Sequence, residues 1–159
     1  MKFSEFPYQR PDYEQLMSRI SELTRQFQSA QTAGEQLAIL KQLEQLRIEL
    51  RTSVQIATIR YTVDTRDAFY SAEEEYNEQM APVVDEKLQE FNKALVASPF
   101  RKELEAEYGS LLFRNIELAL KAFSPALIPL IQQENLLVQQ YQKLCASAKI
   151  EFDGKVCNL

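Results

Sequence analysis

Histidine and tryptophan are both absent from the 159 residues, and glycine occurs only 3 times. Without histidine the chain lacks the commonest general base near neutral pH and the commonest ligand of catalytic zinc, so most hydrolase chemistry has no carrier in it. The two cysteines, Cys145 and Cys157, form no close metal-ligand pair. A chain of this length also builds a core without disulfide staples, so both read as free, partly buried thiols. No window approaches the 18 or more apolar residues of a membrane-spanning helix, and the start, Met1-Lys2-Phe3-Ser4-Glu5-Phe6-Pro7, has no apolar leader core. The expected location is the cytoplasm. A formal net charge of -5 with a pI near 4.9 disfavours nucleic acid and anionic membrane surfaces as partners.

What is present is the profile of long helices: 45% hydrophobic and 26% charged residues with few helix breakers. Asp12 can cap a first helix, with Gln15 in the capping-box position, and Leu16, Ile20, Leu23 and Phe27 give one apolar stripe. Thr32 and Glu35 form a second capping box. From there Ile39, Leu43, Leu46, Leu50, Val54, Ala57 and Tyr61 keep a three-four rhythm, which Leu37, Leu40 and Ile48 widen into a face for two neighbours. Asp64 is expected to cap a third helix running toward Ala97, on the order of 50 Å long at 1.5 Å per residue and bent at Pro82.

Ser98-Pro99 and Ser124-Pro125 each read as a helix start, and Gly109 as a left-handed helix stop between them. Leu111, Leu112, Ile116, Leu118, Leu120 and Phe123 continue the helical pattern. The last helix should reach Ser147, with Pro129 tolerated in its first turns. Beyond it Ile150, Phe152, Val156 and Leu159 alternate around Asp153-Gly154, the favoured pair of a two-residue hairpin turn. The expected fold is all-α: a bundle of about five to six helices, some long, over residues 1–147, followed at 148–159 by a truncated β-hairpin.

Three features invite a functional reading. Glu73-Glu74-Glu75 with Glu78 could be a carboxylate metal site, but such sites in bundles use Glu-x-x-His pairs, and adjacent glutamates diverge around a helix. A solvated acidic face is the expectation. Arg60, Tyr61, Asp64, Arg66, Asp67 and Tyr70 crowd the corner between the second and third helices. They could contact a ligand; the structural alternative is a cap, charge pairing across the turn, and rings closing the end of the bundle. The leucines of the second helix could form a coiled-coil seam, yet their face is wider than a strict a/d stripe and favours packing within the chain. A carrier of a metal or small ligand would need convergent polar groups that helical spacing alone does not provide.

The stretches Ala57-Thr58-Ile59-Arg60-Tyr61-Thr62-Val63-Asp64-Thr65-Arg66-Asp67-Ala68-Phe69-Tyr70, Ser98-Pro99-Phe100-Arg101-Lys102-Glu103-Leu104-Glu105 and Ala146-Ser147-Ala148-Lys149-Ile150-Glu151-Phe152-Asp153-Gly154, with the Met-Lys-Phe-Ser-Glu-Phe start, resemble the N-terminal region of oligoendopeptidase F-type zinc metallopeptidases. The resemblance covers essentially the whole chain. It implies a longer enzyme in which a helical N-terminal region faces a catalytic region across a channel, with short peptides as substrate. Zinc and its general base would sit on a His-Glu-x-x-His helix that this sequence does not contain. No catalytic or metal residue carries over, so the chain alone is expected to be inactive and to contribute shape. The competing reading is a stand-alone helical protein-protein interaction module.

Overall fold

The computed structural model describes residues 5–158, with side chains described throughout except at positions 152 and 155–158. Six helices and one hairpin follow in chain order: α1 Tyr13–Ser29, α2 Ala33–Val63, α3 Ala68–Val96, α4 Arg101–Tyr108, α5 Ser110–Ala122, α6 Ile128–Ala146, β1 Lys149–Phe152 and β2 Lys155–Asn158. Helix α3 is the spine, about 44 Å long, and α1, α2, α5 and α6 all pack along it.

The first helix forms as its pattern demands. Asp12 Oδ1 accepts from Gln15 N at 2.9 Å, and Leu16, Ile20, Leu23 and Phe27 all point into the core with Tyr13. Each fully buried apolar side chain of this kind contributes roughly 1.5–3 kcal/mol relative to an exposed one. Phe27 meets Phe91 of α3 with ring centroids 5.0 Å apart. Leu104 of α4 and Phe113 of α5 complete the same cluster.

Thr32 caps α2 through Glu35 N at 3.2 Å, while the Glu35 carboxylate accepts from Gln31 N rather than closing back on Thr32. The face of α2 is less uniform than its rhythm implies. Ile39, Leu40 and Leu43 are buried near its start and Ile56, Ala57 and Tyr61 near its end, but Ile48 is 58% exposed. The helix serves different neighbours at its two ends, so the expected single wide face does not form.

A second correction concerns the cap of α3. Helix α2 continues through Val63, and Asp64 is its C-cap, with Asp64 N bonded to Arg60 O. Asp67 is the cap: its Oδ1 accepts from Phe69 N and Tyr70 N at 2.9 and 3.1 Å. Pro82 sits inside α3 without ending it. Lacking an N–H, it leaves the Glu78 carbonyl without its helical donor, and Asn135 Nδ2 of α6 donates to that carbonyl at 3.3 Å. Gln132 Nε2 donates to the next carbonyl, Gln79 O, at 2.7 Å, and Gln139 Nε2 reaches Ser71 O at 3.4 Å. A row of carboxamides therefore seats α6 on α3.

Ser98 departs from the expected cap geometry: its hydroxyl accepts from Phe100 N and donates to the buried Gln36 Oε1 at 2.5 Å, so the helix begins at Arg101. Gly109 has φ 81 and ψ 147, which turns the chain from α4 straight into α5. Ser124-Pro125 opens a single 3-10 turn, Pro125–Leu127, ahead of α6. Asp153 and Gly154, at φ 51 and 69, make the expected hairpin turn, pairing Phe152 with Lys155 and Lys149 with Asn158. Cys145 is a half-buried free thiol. The expectations for Leu159 and for the Cys157 side chain lie outside the described residues.

Candidate functional site

The corner between α2 and α3 separates its six candidate residues into distinct tasks. Arg60 donates to the Tyr70 hydroxyl and to the Phe6 carbonyl, and its guanidinium lies over the Tyr70 ring at 5.3 Å. Tyr8 packs edge-on against Phe69 and Tyr70, with centroids 6.1 and 5.7 Å away. Asp64 accepts from Arg66 N at 3.1 Å and Arg66 Nε at 3.2 Å, which holds its carboxyl below the usual range. Asp67 is the helix cap. Tyr61 turns the other way, fully buried, with its hydroxyl lacking a hydrogen-bond partner and Lys143 of α6 6.0 Å from its ring centroid. None of the six lines the clefts described below.

The acidic stretch on α3 overturns the expectation of a solvated face. Glu75 is exposed, but Glu73 is only 1% exposed and Glu74 8%. Their partners come from elsewhere in the chain. Residues 8 and 10 alternate along an extended arm and so face one way: Tyr8 OH donates to Glu73 Oε2 at 2.6 Å, and Arg10 Nε to both Glu73 oxygens at 2.9 and 3.0 Å. The Arg10 bond lowers the Glu73 carboxyl below its ordinary value, against the opposing effect of burial. Glu74 has only the Thr58 hydroxyl, at 2.8 Å, and burial raises it. Tyr13 OH donates to Asn77 Oδ1 at 2.7 Å and closes this buried row.

These residues tie the N-terminal arm, α1 and α2 to the spine, and their chemistry is structural. A carboxylate saturated by arginine and tyrosine beside one bonded to threonine is not a zinc donor set, and no histidine exists to complete one. Among the described residues no three His, Cys, Asp or Glu side chains converge in a metal-holding group.

The clefts flank the middle of α2, where no residue of 44–55 is buried. One, of about 500 Å³, lies between α2 and the arm that leads into α1, with Arg10, Arg19 and Glu49 in its lining. A second, of about 370 Å³, is lined by Phe6, Arg51, Gln55 and Ile59, and a third, of about 220 Å³, lies between α2 and α3. Arg47 and Arg51 of α2 face Glu78 and Asp85 of α3 across its rim, above Leu50, Val54, Val84 and Leu88. A mixed-charge rim over an apolar floor can receive a zwitterionic or amphipathic segment. No helix of the described residues is long and apolar enough to cross a membrane.

Comparison with known proteins agrees with this helical arrangement. The family model described as the peptidase M3 N-terminal domain matches residues 3–123. Among solved structures, the chain is similar to PZ peptidase A bound to an inhibitor, at 41% identity and a TM-score of 0.95. It is similar at 40% identity and the same TM-score to a chain assigned as an oligoendopeptidase F, and at 37% to another so assigned, from Bacillus anthracis str. Ames. Each comparison covers 99% of this chain, which spans only 28% of the first two relatives and 29% of the third. No curated protein matches.

Proposed function

Because this chain belongs to the peptidase M3 N-terminal domain family, we propose that it is the non-catalytic helical part of a zinc-dependent oligoendopeptidase and forms one wall of the channel that limits substrates to short peptides. The observation that carries the reading is the pairing of a near-complete structural match with a small share of the relatives' length: the fold accounts for 28% of an oligoendopeptidase chain. Zinc, when bound, would supply Lewis acidity and an activated water on the remaining part. The chain's own residues do something else. Arginine, tyrosine and carboxamide side chains lock three long helices onto one spine, giving a stiff surface rather than a reactive one.

A stiff helical wall acts on selectivity by geometry. A flexible oligopeptide threads past it in an extended form, while a folded protein is kept from the metal by its width. The same reading places the protein in the cytoplasm, which cell fractionation checks. The decisive test compares a longer polypeptide carrying this domain with the same polypeptide lacking residues 1–147. The intact form should cut oligopeptides and leave folded proteins untouched. A folded, active truncation that still discriminates by size would overturn the proposal.

A further inference from the structure

Helix α6 is oriented the wrong way round for a surface helix. Its carboxamides Gln132, Asn135 and Gln139 face α3, while on its other side Leu130 is 59% exposed, Leu137 63%, Val138 50%, Tyr141 67% and Leu144 69%. At roughly 100° per residue, Leu130, Leu137, Tyr141 and Leu144 fall in one narrow sector opposite Gln139, with exposed Glu134 at its edge and Val138 about 60° beyond it. The stripe runs for about 21 Å along the helix and is followed by Ile150 on β1, 43% exposed. Only Glu134 and Lys143 are charged among the 19 residues of α6, and Lys143 is turned toward Tyr61. A continuous apolar stripe exposed on the outer face of a helix whose polar side chains are bonded inward marks an interaction surface.

We infer that the outer face of α6 is the docking surface for the catalytic region of the longer polypeptide, an inference that rests on the function proposed above. The fold occupies 28% of relatives that it superposes on at a TM-score of 0.95, so most of such a polypeptide lies outside it and needs a seat. The stripe has the composition of a permanent interface: leucine, valine and tyrosine, with charge depleted. Its area argues against a second copy of this chain. The exposed parts of these five side chains still fall short of the about 800 Å² per partner that a stable association of separate molecules buries. A region joined through the same chain meets it at millimolar effective concentration and needs far less.

The experiment uses covalent side-chain footprinting of Leu137, Tyr141 and Leu144 in the 159-residue chain and in the longer polypeptide, beside the double variant Leu137→Glu/Leu144→Glu. The expected result is heavy labelling in the short chain and several-fold protection in the longer one. The double variant should move the Tm of the short chain by no more than about 2 °C, as for a solvent-facing position, while lowering that of the longer polypeptide clearly. Equal labelling in both forms overturns the inference. So does concentration-dependent dimerisation of the short chain that the double variant abolishes, because the occupant is then a second copy. A covered stripe in a peptidase that cuts folded proteins would instead leave this inference standing and defeat the channel-wall reading.

Discussion

Helices α1 and α6 pack on the same spine, yet they do so with opposite chemistry. Helix α1 sends Tyr13, Leu16, Ile20, Leu23 and Phe27 inward and keeps its charges in water. Helix α6 sends carboxamides inward and leaves Leu130, Leu137 and Leu144 outside, and its only buried residue is Gln139. One side of α3 is therefore a finished core, and the other is a core with one wall missing. The difference teaches where a fold is self-sufficient and where it expects company.

Substitutions can break that comparison. Phe91→Ala strikes the finished side, where the ring is fully buried against Phe27; it should cost about 3–5 kcal/mol in chemical denaturation. Glu73→Gln removes the charge that holds the N-terminal arm, and about 1–2 kcal/mol should be lost at neutral pH. The pH dependence has a definite sign. The Glu73 carboxyl is lowered by folding, so its contribution is complete above the ordinary glutamate range and disappears as pH falls through the folded value. Glu73→Gln should abolish that part of the acid-unfolding profile.

On the α6 side the effects shrink. Asn135→Ala should cost about 1 kcal/mol by uncovering the carbonyl that Pro82 leaves without a donor. Combined with Pro82→Ala, which restores the helical donor, the two changes should couple by about 0.5–1 kcal/mol in a double-mutant cycle. Glu74→Gln should be the smallest of these, a gain of a few tenths of a kcal/mol, roughly, at neutral pH. Burial raises the Glu74 carboxyl, so its ionised form opposes folding, and the opposition fades as pH falls through the raised value. Equilibrium unfolding at two pH values separates the neighbouring carboxylates.

Much of the finished side was legible in the sequence because its signals are local. The α1 stripe, the caps at Asp12 and Thr32, the positive φ at Gly109 and the Asp153-Gly154 turn each depend on residues a few positions apart. The burial of Glu73 was not legible, because its partner Arg10 lies 63 positions away and only the folded arm brings it close. The choice of Asp67 over Asp64 turned on where α2 stops: the helix runs on through Val63, so Asp64 closes it instead of opening α3. Ile48 was misplaced for a related reason: a helix that changes neighbours along its length has no single inward face. The inverted packing of α6 goes with an open carbonyl one turn before Pro82, a tertiary fact that periodicity does not carry. The corner around Arg60 and Tyr70 was recognised as a cluster, and the geometry resolves it into a cap, a charge pair and a ring stack.

Amide hydrogen exchange on α1 and α6, in the 159-residue chain and in the longer polypeptide, tests the central comparison most directly. The α1 amides should exchange slowly in both. The α6 amides should exchange readily in the short chain and become strongly protected in the longer one. Equal, slow exchange of α6 in both forms would contradict the account, because the helix would then be complete without a partner.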